Sequence, residues 1–432
     1  MEIIEYSPFY VIKYRVDNYV YDIERRMSML TGKTVIIGVT GSIAAYKIPY
    51  LVRLLKKQGA DVHVIMTQNG AKFISPLTFE TLTGNKCHID TFDRNFHFDA
   101  RHISLAKAAD LIIVAPASAD FIAKASNGIA DDMLTTVLLA AKCPKIVAPA
   151  MNTGMLLNPI TLDNIEKLRH YGFTVIEPDE GFLACGDIGA GKMPEPDVLA
   201  EYVYREIAFD KDMSGLKVLI SAGPTEEDID PVRFITNHSS GKMGYALAKA
   251  CMLRGADVHL VTGHVKISTP PFVNIVNIKS ASELYDVMTK ETIDSDIVFM
   301  AAAVADYSPK IHAENKIKKS DDDMKIDLVR TKDILSEIAS MRNSGLSNSK
   351  QVICGFSMET ENLIENSRKK LTKKKIDLIA ANSLRTEGAG FEKDTNVITL
   401  ITHDKNKELG KLSKFDTAVK IIDEALELYK LI

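Results

Sequence analysis

Two doubly wound α/β domains in tandem are the fold this sequence predicts, and three observations predict it. From Thr34 the chain reads TVIIGVTGSIAAYKIPYLVRLLKKQGADVHVIMT: an apolar, β-rich run, a glycine turn, apolar residues at helical spacing, then a second β-rich run. From Leu216 it reads LKVLISAGPT and, after an insertion, GKMGYALAKACMLRGADVHLVTG, so that GADVHVIMT at 59–67 returns as GADVHLVTG at 255–263. A second echo pairs AADLIIVAPASAD at 108–120 with DSDIVFMAAAVAD at 294–306, each a charged entry, a continuous apolar strand and a small-residue loop. Strands apolar on both faces belong in parallel sheets covered by helices. Each half is therefore expected to be a mainly parallel, three-layer, Rossmann-like domain.

Residues 1–31 alternate charge with Tyr and Ile and lack a compact apolar core followed by small residues, so they do not read as a signal peptide. They read as a loose extension, or as sequence upstream of a start at Met27 or Met29. The first domain is expected over 32–208, a polar linker FDKDMSG over 209–215, and the second domain over 216–432. With 432 residues, 46% hydrophobic and 25% charged, the chain has ordinary globular composition and enough length for two cores. A net charge of -4 offers no general attraction for nucleic acid. The five cysteines, Cys87, Cys143, Cys185, Cys251 and Cys354, are scattered without a C-x-x-C pair, which suits a reducing cytoplasm. No apolar run approaches the roughly 20 residues that span a bilayer.

Ligands of such sheets bind outside the carboxyl ends of the strands, where loop amides and helix N-termini face outward. In the first domain that edge carries GVTGSIAAYK, IMTQNG, APASADF and APAMNTGM. Gly38 and Gly41 lack the third glycine of a dinucleotide fingerprint, and Thr67 stands where an NAD enzyme would carry an acidic residue for the ribose. NAD is disfavoured; the Gly41-Ser42 turn suits one phosphate of a mononucleotide, or simply a tight turn. In the second domain, ITNHSSGKMG at 235–244 invites comparison with a Walker A loop, but Thr236 occupies the upstream glycine's position and Met243 follows Lys242 where a hydroxyl must bind magnesium. Lysines at 369, 370, 373, 374 and 375 read as the solvated face of a helix, and KIKK at 316–319 beside SDDD as a charged hairpin. The Asp-Tyr of VADY, by contrast, ends a strand at the ligand edge. His97 and His102 have no spacing that forms a metal frame.

Taken together, GSIAAYK, HISLAKAADL, PASADF, PAMNTGM and ACGDIGAGKMPEP resemble the flavin-containing cysteine decarboxylases, over Gly32 to about Ala208. SAGPTEEDIDPVRFITNHSSGKMG, AAAVADY, KIKK, GFSMET and RKKLTKKKIDLIAAN resemble the phosphopantothenate-cysteine ligases, from about Leu216 to the C-terminal helix. Both are halves of the bifunctional coenzyme A biosynthesis proteins. The first resemblance implies a flavodoxin-like domain holding FMN, with Gly41, Ser42 and Ile43 near its phosphate, Thr67 close by, and Ser118, Ala119, Asp120 and Phe121 along it. Asp120 departs from many relatives, which carry Asn. The resemblance further implies His102 as acid/base, Asn152 on the substrate carboxylate and Cys185 as the final proton donor on a glycine-rich flap. FMN would serve as electron acceptor for the thiol, so that CO2 can leave with its electron pair accommodated. Taken alone, His102 reads equally as a helix-start histidine, Asn152 as a turn closure and Cys185 as an incidental loop thiol.

The second resemblance implies CTP-dependent activation of a carboxylate as an acyl-cytidylate, with Mg2+, followed by attack of cysteine's amine. It puts Asp306, Lys316, Lys332, Asp333, Ile334, Leu335, Phe356, Lys370 and Lys374 on the nucleotide. Lys316 is expected to stabilise charge as the acyl-cytidylate forms, and Asn237 to hold the acyl intermediate. The resemblance also implies a homo-oligomer, a dodecamer built from trimeric decarboxylase and dimeric ligase contacts. A flavin-binding regulatory protein of the same fold is the alternative, and retention of His102, Asn152 and Cys185 speaks against it.

Overall fold

A computed structural model describes residues 12–16, 19–23, 28–91, 101–182, 186, 188–318, 324–359, 362–383 and 395–432. The chain divides into two units, Met1–Asp210 and Lys211–Ile432.

In the first unit, Ile12–Val16 and Tyr19–Ile23 pair as an antiparallel hairpin, and Leu30 is fully buried with its amide bonded to Gln58 O. The main sheet has five strands in the order Asp61–Met66, Thr34–Val39, Leu111–Ala117, Lys145–Pro149, Thr174–Val175. All four pairings are parallel. In chain order this is 2-1-3-4-5, the flavodoxin-like arrangement, whose winding reverses between the first and third strands. Helix Ile48–Lys57 packs with Pro196–Ile207 on one face, and Ala119–Ser126 with Pro159–His170 on the other. Local sequence sets where helices begin: proline opens Pro76–Thr83, Pro159–His170 and Pro196–Ile207, and Asp132 with Thr135 forms a capping box on Met133–Ala140.

The second unit carries an eight-stranded sheet in the order Asn274–Asn277, Asp257–Thr262, Lys217–Ala222, Ile297–Met300, Val352–Glu359, Leu378–Ser383, Ile398–Ile401, Asn406–Glu408. The first six strands are parallel, in chain order 3-2-1-4-5-6, and the last two add antiparallel. That is the dinucleotide-fold order, with its switch point between Lys217–Ala222 and Ile297–Met300. Lys242–Leu253 and Lys414–Leu431 pack together on one face, while Ala281–Glu291, Ile334–Asn343 and Leu363–Lys374 bury Leu284, Ile338 and Leu371 on the other. The insertion between the echoed segments is an antiparallel hairpin, Glu226–Asp230 with Arg233–Thr236.

The stretch expected to be a linker belongs in part to this unit. Met213 is fully buried, Lys211 Nζ bonds Leu253 O at 2.7 Å, and Asp212 pairs with Arg254. Polar composition hid this: of the two apolar side chains in FDKDMSG, Phe209 and Met213, it is Met213 that is fully buried.

Candidate active sites at the two sheet edges

At the carboxyl edge of the first sheet three loops are tied together, two of them by one threonine. Thr40 is buried; its hydroxyl donates to Pro116 O at 2.7 Å and accepts from the Ser118 amide at 2.9 Å. The loop after the first strand is thereby fixed to the loop after the third. Backbone contact fixes it to the second: a Cβ on Gly41 would lie 2.7 Å from Asn69 Cβ, and one on Gly70 would lie 2.5 Å from Val39 O. Thr67 closes the corner, accepting from the Gly70 amide at 3.1 Å. Gly41, Ser42, Thr67 and Ser118 are thus assembled on one edge. Ser42 is the N-cap of the turn Ile43–Lys47 but spends no side-chain bond on capping; Ser118 caps Ala119–Ser126, accepting from Phe121 N at 3.4 Å. The Ile43 side chain is exposed. Asp120 faces solvent and pairs with Lys124 at 3.5 Å. Phe121 is 1% exposed and sits in the hydrophobic core, so its ring serves packing and only its backbone reaches the edge.

Asn152 caps the short helix Thr153–Leu156, its Oδ1 accepting from the Gly154 amide at 2.8 Å. Beside it docks the glycine-rich hairpin of Asp179–Phe182 and Ile188–Lys192. Met151 N donates to Gly191 O at 3.1 Å, and Thr153 Oγ1 to Ala190 O at 2.8 Å. Gly191 has φ +128, and a Cβ there would fall 2.2 Å from Met151 O; on Gly189 it would meet Thr153 Oγ1 at 2.5 Å. These glycines let the hairpin lie directly against the Asn152 loop. Cys185 lies outside the described residues. His102 is half-buried in the first turn of Arg101–Ala108.

The second edge is organised by the switch point. Gly223 has φ +72 and Gly241 φ +73, and Gly241 is the N-cap of Lys242–Leu253. A Cβ on Gly244 would lie 2.5 Å from Ala222 Cβ, so this helix rides directly on the first strand. Asn237 is exposed and donates through Nδ2 to Ala303 O at 3.0 Å. Thr225, fully buried, donates its amide to Ala303 O at 3.3 Å and accepts from Ala305 N at 3.0 Å. Asn237 and the loop leading to Asp306 thereby share one wall.

Between Ser239–Met243, Ala301–Ala303 and the ends of the next strands lies a cavity of about 190 Å³, lined also by Phe356, Asn382 and Lys414. Asn382 is 9% exposed, and its Oδ1 is buried without a hydrogen-bond partner. A buried acceptor left unpaired costs about 1–3 kcal/mol, a cost a ligand's N–H removes. Lys414 Nζ reaches Asn396 Oδ1 at 3.3 Å on the same wall.

The lysine-bearing helix splits its charges. Lys369 is solvated and pairs with Glu365, whereas Lys370 and Lys374, four residues apart on one face, turn inward. Lys370 Nζ donates to Phe356 O at 2.9 Å, and Lys374 Nζ pairs with Asp333 Oδ1 at 2.9 Å. The solvated-face expectation holds for Lys369 and fails for these two. The Lys374 bond and the Ser336 amide hold Asp333 below the usual carboxylate range against its partial burial. Lys332 Nζ stands 4.0 Å from the Tyr285 ring centroid. Ile334 and Leu335 are buried core side chains, so they can meet a ligand only through backbone. Asp306 and Lys316 are exposed. Among the described residues no group of three or more His, Cys, Asp or Glu could hold a metal, and no helix is long and apolar enough to cross a membrane.

The flavoprotein family model matches residues 23–208, and the model for the DNA/pantothenate metabolism flavoprotein C-terminal domain matches 213–429. The coenzyme A biosynthesis bifunctional protein CoaBC of Bacillus subtilis (strain 168) is 43% identical over 93% of this chain and 98% of its own length. The protein of that name from Haemophilus influenzae is 41% identical, over 93% and 99%. The chain belongs to the bifunctional coenzyme A biosynthesis family. A solved C-terminal domain of a CoaBC protein aligns at 36% identity and a TM-score of 0.42, covering 50% of this chain and 98% of that one.

For a member of this family, the residues that motif reading missed are the ones that hold loops rather than face outward. Thr40 and Thr225 each follow a strand at the ligand edge, which was their only signal. Asn382, the last residue of RKKLTKKKIDLIAAN, and Lys414 lie 27 and 59 residues beyond Gly355 of GFSMET, and no spacing joins them to the cavity.

Proposed function

We propose that the second unit joins cysteine to 4'-phosphopantothenate at the expense of CTP, and that the first decarboxylates the product to 4'-phosphopantetheine with FMN. The observation that carries this reading is the alignment's extent: both units match relatives bearing the bifunctional name, over nearly the whole of each chain.

The first edge suits a flavin mononucleotide by its donor set. A phosphate needs hydroxyls and amides at a helix start, and Ser42, with its hydroxyl uncommitted to capping, precedes Ile43–Lys47. Gly41, Ser42 and Ile43 would hold the phosphate, Thr67 and the Ser118–Phe121 backbone the remainder. When bound, FMN would supply a reversible two-electron acceptor: electrons passed to it let the cysteine carboxylate leave as CO2, and their return to the decarboxylated product restores the thiol level. The chain's own side chains bind and move protons: Asn152 orients the carboxylate, His102 exchanges a proton beside the substrate, and Cys185 returns one at the end. The hairpin docked on Met151–Thr153 stands beside that region.

In the second unit, a carboxylate oxygen of phosphopantothenate bonds to the α-phosphorus of CTP as the α–β anhydride breaks and pyrophosphate leaves. Cysteine's amine then attacks the acyl carbon and CMP departs with the carboxylate's oxygen. Lys316 stabilises the developing charge, Mg2+ is carried by the triphosphate, and Asn237 fixes the acyl group. Asp306, Lys332 to Leu335, Phe356, Lys370 and Lys374 surround the nucleotide, with Asn382 and Lys414 on the floor of the neighbouring cavity.

Incubation of the FMN-loaded chain with phosphopantothenate, cysteine, CTP and Mg2+, with mass detection of both products, tests the reading. Accumulation of phosphopantothenoylcysteine and then phosphopantetheine, with release of CMP, is expected. Product formation with ATP but not CTP would overturn the nucleotide assignment, and purified protein without flavin absorbance would overturn the first half.

A further inference from the structure

The strongest constellation outside the residues already assigned surrounds Asp230, at the end of the inserted hairpin. Its side chain is fully buried, yet it carries five hydrogen bonds. It accepts from the Val232 and Arg233 amides at 2.9 Å each, from Arg233 Nε at 3.0 Å and from a second guanidinium nitrogen of Arg233. The fifth donor is remote in sequence: the Ile317 amide, at 3.1 Å. Arg233 completes the grip by donating to Ile317 O at 3.0 Å. One peptide neighbour of Lys316 is thus held at both its N–H and its C=O by an ion pair that belongs to another loop. A further bond, Ala313 N to Ile229 O at 3.1 Å, runs parallel to it.

The chemistry of the pair suits a fixed clamp. The Arg233 guanidinium holds the Asp230 carboxyl well below the usual carboxylate range, so it stays an acceptor at every working pH. Charge-assisted bonds are about twice as strong as neutral ones. The same hairpin continues through Arg233–Thr236 to Asn237, which is bonded to Ala303 O. The clamp therefore links the backbone that carries Lys316 to the strand that leads into Asn237.

Resting on the ligase reading above, we infer that Asp230 is a positioning residue for acyl-cytidylate formation: through Arg233 and the Ile317 peptide it sets where Lys316 stands relative to Asn237. Neither Asp230 nor Ile317 touches the reacting atoms. Asp230→Asn keeps the shape but removes the charge and turns an N–H2 toward N–H donors, so the Ile317 peptide is released.

The test uses the full chain, with FMN, in single-turnover pyrophosphate release from CTP and phosphopantothenate without cysteine. Asp230→Asn is expected to slow release on the order of tenfold to a hundredfold, as an ångström-scale misplacement does, while the cysteine KM, measured separately in steady-state turnover with cysteine varied, stays within about twofold. In a Lys316→Ala background the same substitution should cost little more, because the two act as one unit. Ile317→Pro removes the amide donor, fixes φ at 317 and restricts Lys316 before it, so it should reproduce the loss and serves where Asp230→Asn fails to fold. Wild-type release rates in Asp230→Asn or Ile317→Pro, or costs that multiply independently with Lys316→Ala, would overturn the inference. If the wild-type chain itself releases no pyrophosphate, the ligase reading falls and takes this inference with it.

Discussion

Gly191→Ala should disable decarboxylation while leaving ligation intact. At φ +128 an alanine is strained, by about 1–3 kcal/mol. The added Cβ would also stand 2.2 Å from Met151 O, roughly 1 Å inside ordinary contact for carbon and oxygen. The hairpin strand must back away from the Met151–Thr153 loop, and the Met151 N to Gly191 O bond of 3.1 Å is lost, for about another 1 kcal/mol. The sum, about 2–4 kcal/mol, shifts the docked hairpin's population by roughly 30-fold to 1,000-fold. The hairpin is a surface element, so the cost falls on its docking and the melting temperature should move little. The assay supplies phosphopantothenoylcysteine and follows CO2 release, with CMP release from the ligase measured alongside. Decarboxylation at the wild-type rate would refute the reasoning that the hairpin must lie on the Asn152 loop; equal loss of both activities would refute the independence of the two sites.

Asn382→Leu removes the buried unpaired oxygen, so it should raise apo stability by up to about 1–3 kcal/mol yet weaken nucleotide binding about tenfold, read by calorimetric melting and CTP titration. Arg254→Met should cost about 1–3 kcal/mol, because Asp212 and Asp423 both bond its guanidinium, at 2.6 and 2.7 Å, and would lose it, while water still reaches both carboxylates; an unchanged melt would contradict this. The Arg254 bond lowers the Asp212 pKa. A depressed carboxylate pKa contributes stability above its unfolded value, and that contribution is lost as pH falls through the folded value. Wild-type stability should thus fall below about pH 4 more steeply than that of Arg254→Met. Burial pushes the Cys87 thiol up to about 12 and raises Cys251 and Cys354 as well, leaving no thiolate at pH 8. Iodoacetamide should spare these three in the native chain and modify them in denaturant, as read by peptide mass; rapid native labelling of any would contradict their burial.

Legibility in the sequence followed the range of the interactions. The echo of GADVHVIMT and GADVHLVTG marked two parallel sheets because strand periodicity and glycine turns are local. It concealed that the sheets differ, 2-1-3-4-5 in one and 3-2-1-4-5-6 with two antiparallel additions in the other. Strand order depends on which crossover packs where, and that is decided by contacts many tens of residues apart, such as Val218 with Ile297 and Val35 with Leu111.

For the sites, residue identity and edge location were legible in sequence: Ser42, Asn152 and Asp306 come after the carboxyl ends of main-sheet strands, and Asn237 directly after the inserted hairpin. Which side of a helix faces inward came only from packing. Lys370 and Lys374 look like their neighbours in RKKLTKKK, and Phe121 looks like a loop aromatic until the core closes over it. The glycines of the flap are likewise visible as letters, but a 2.2 Å approach to Met151 O requires two distant segments to meet. Local chemistry determined what each segment can do, while folding decided which segments do it together, because burial and hydrogen bonding are settled only between parts that the chain brings into contact.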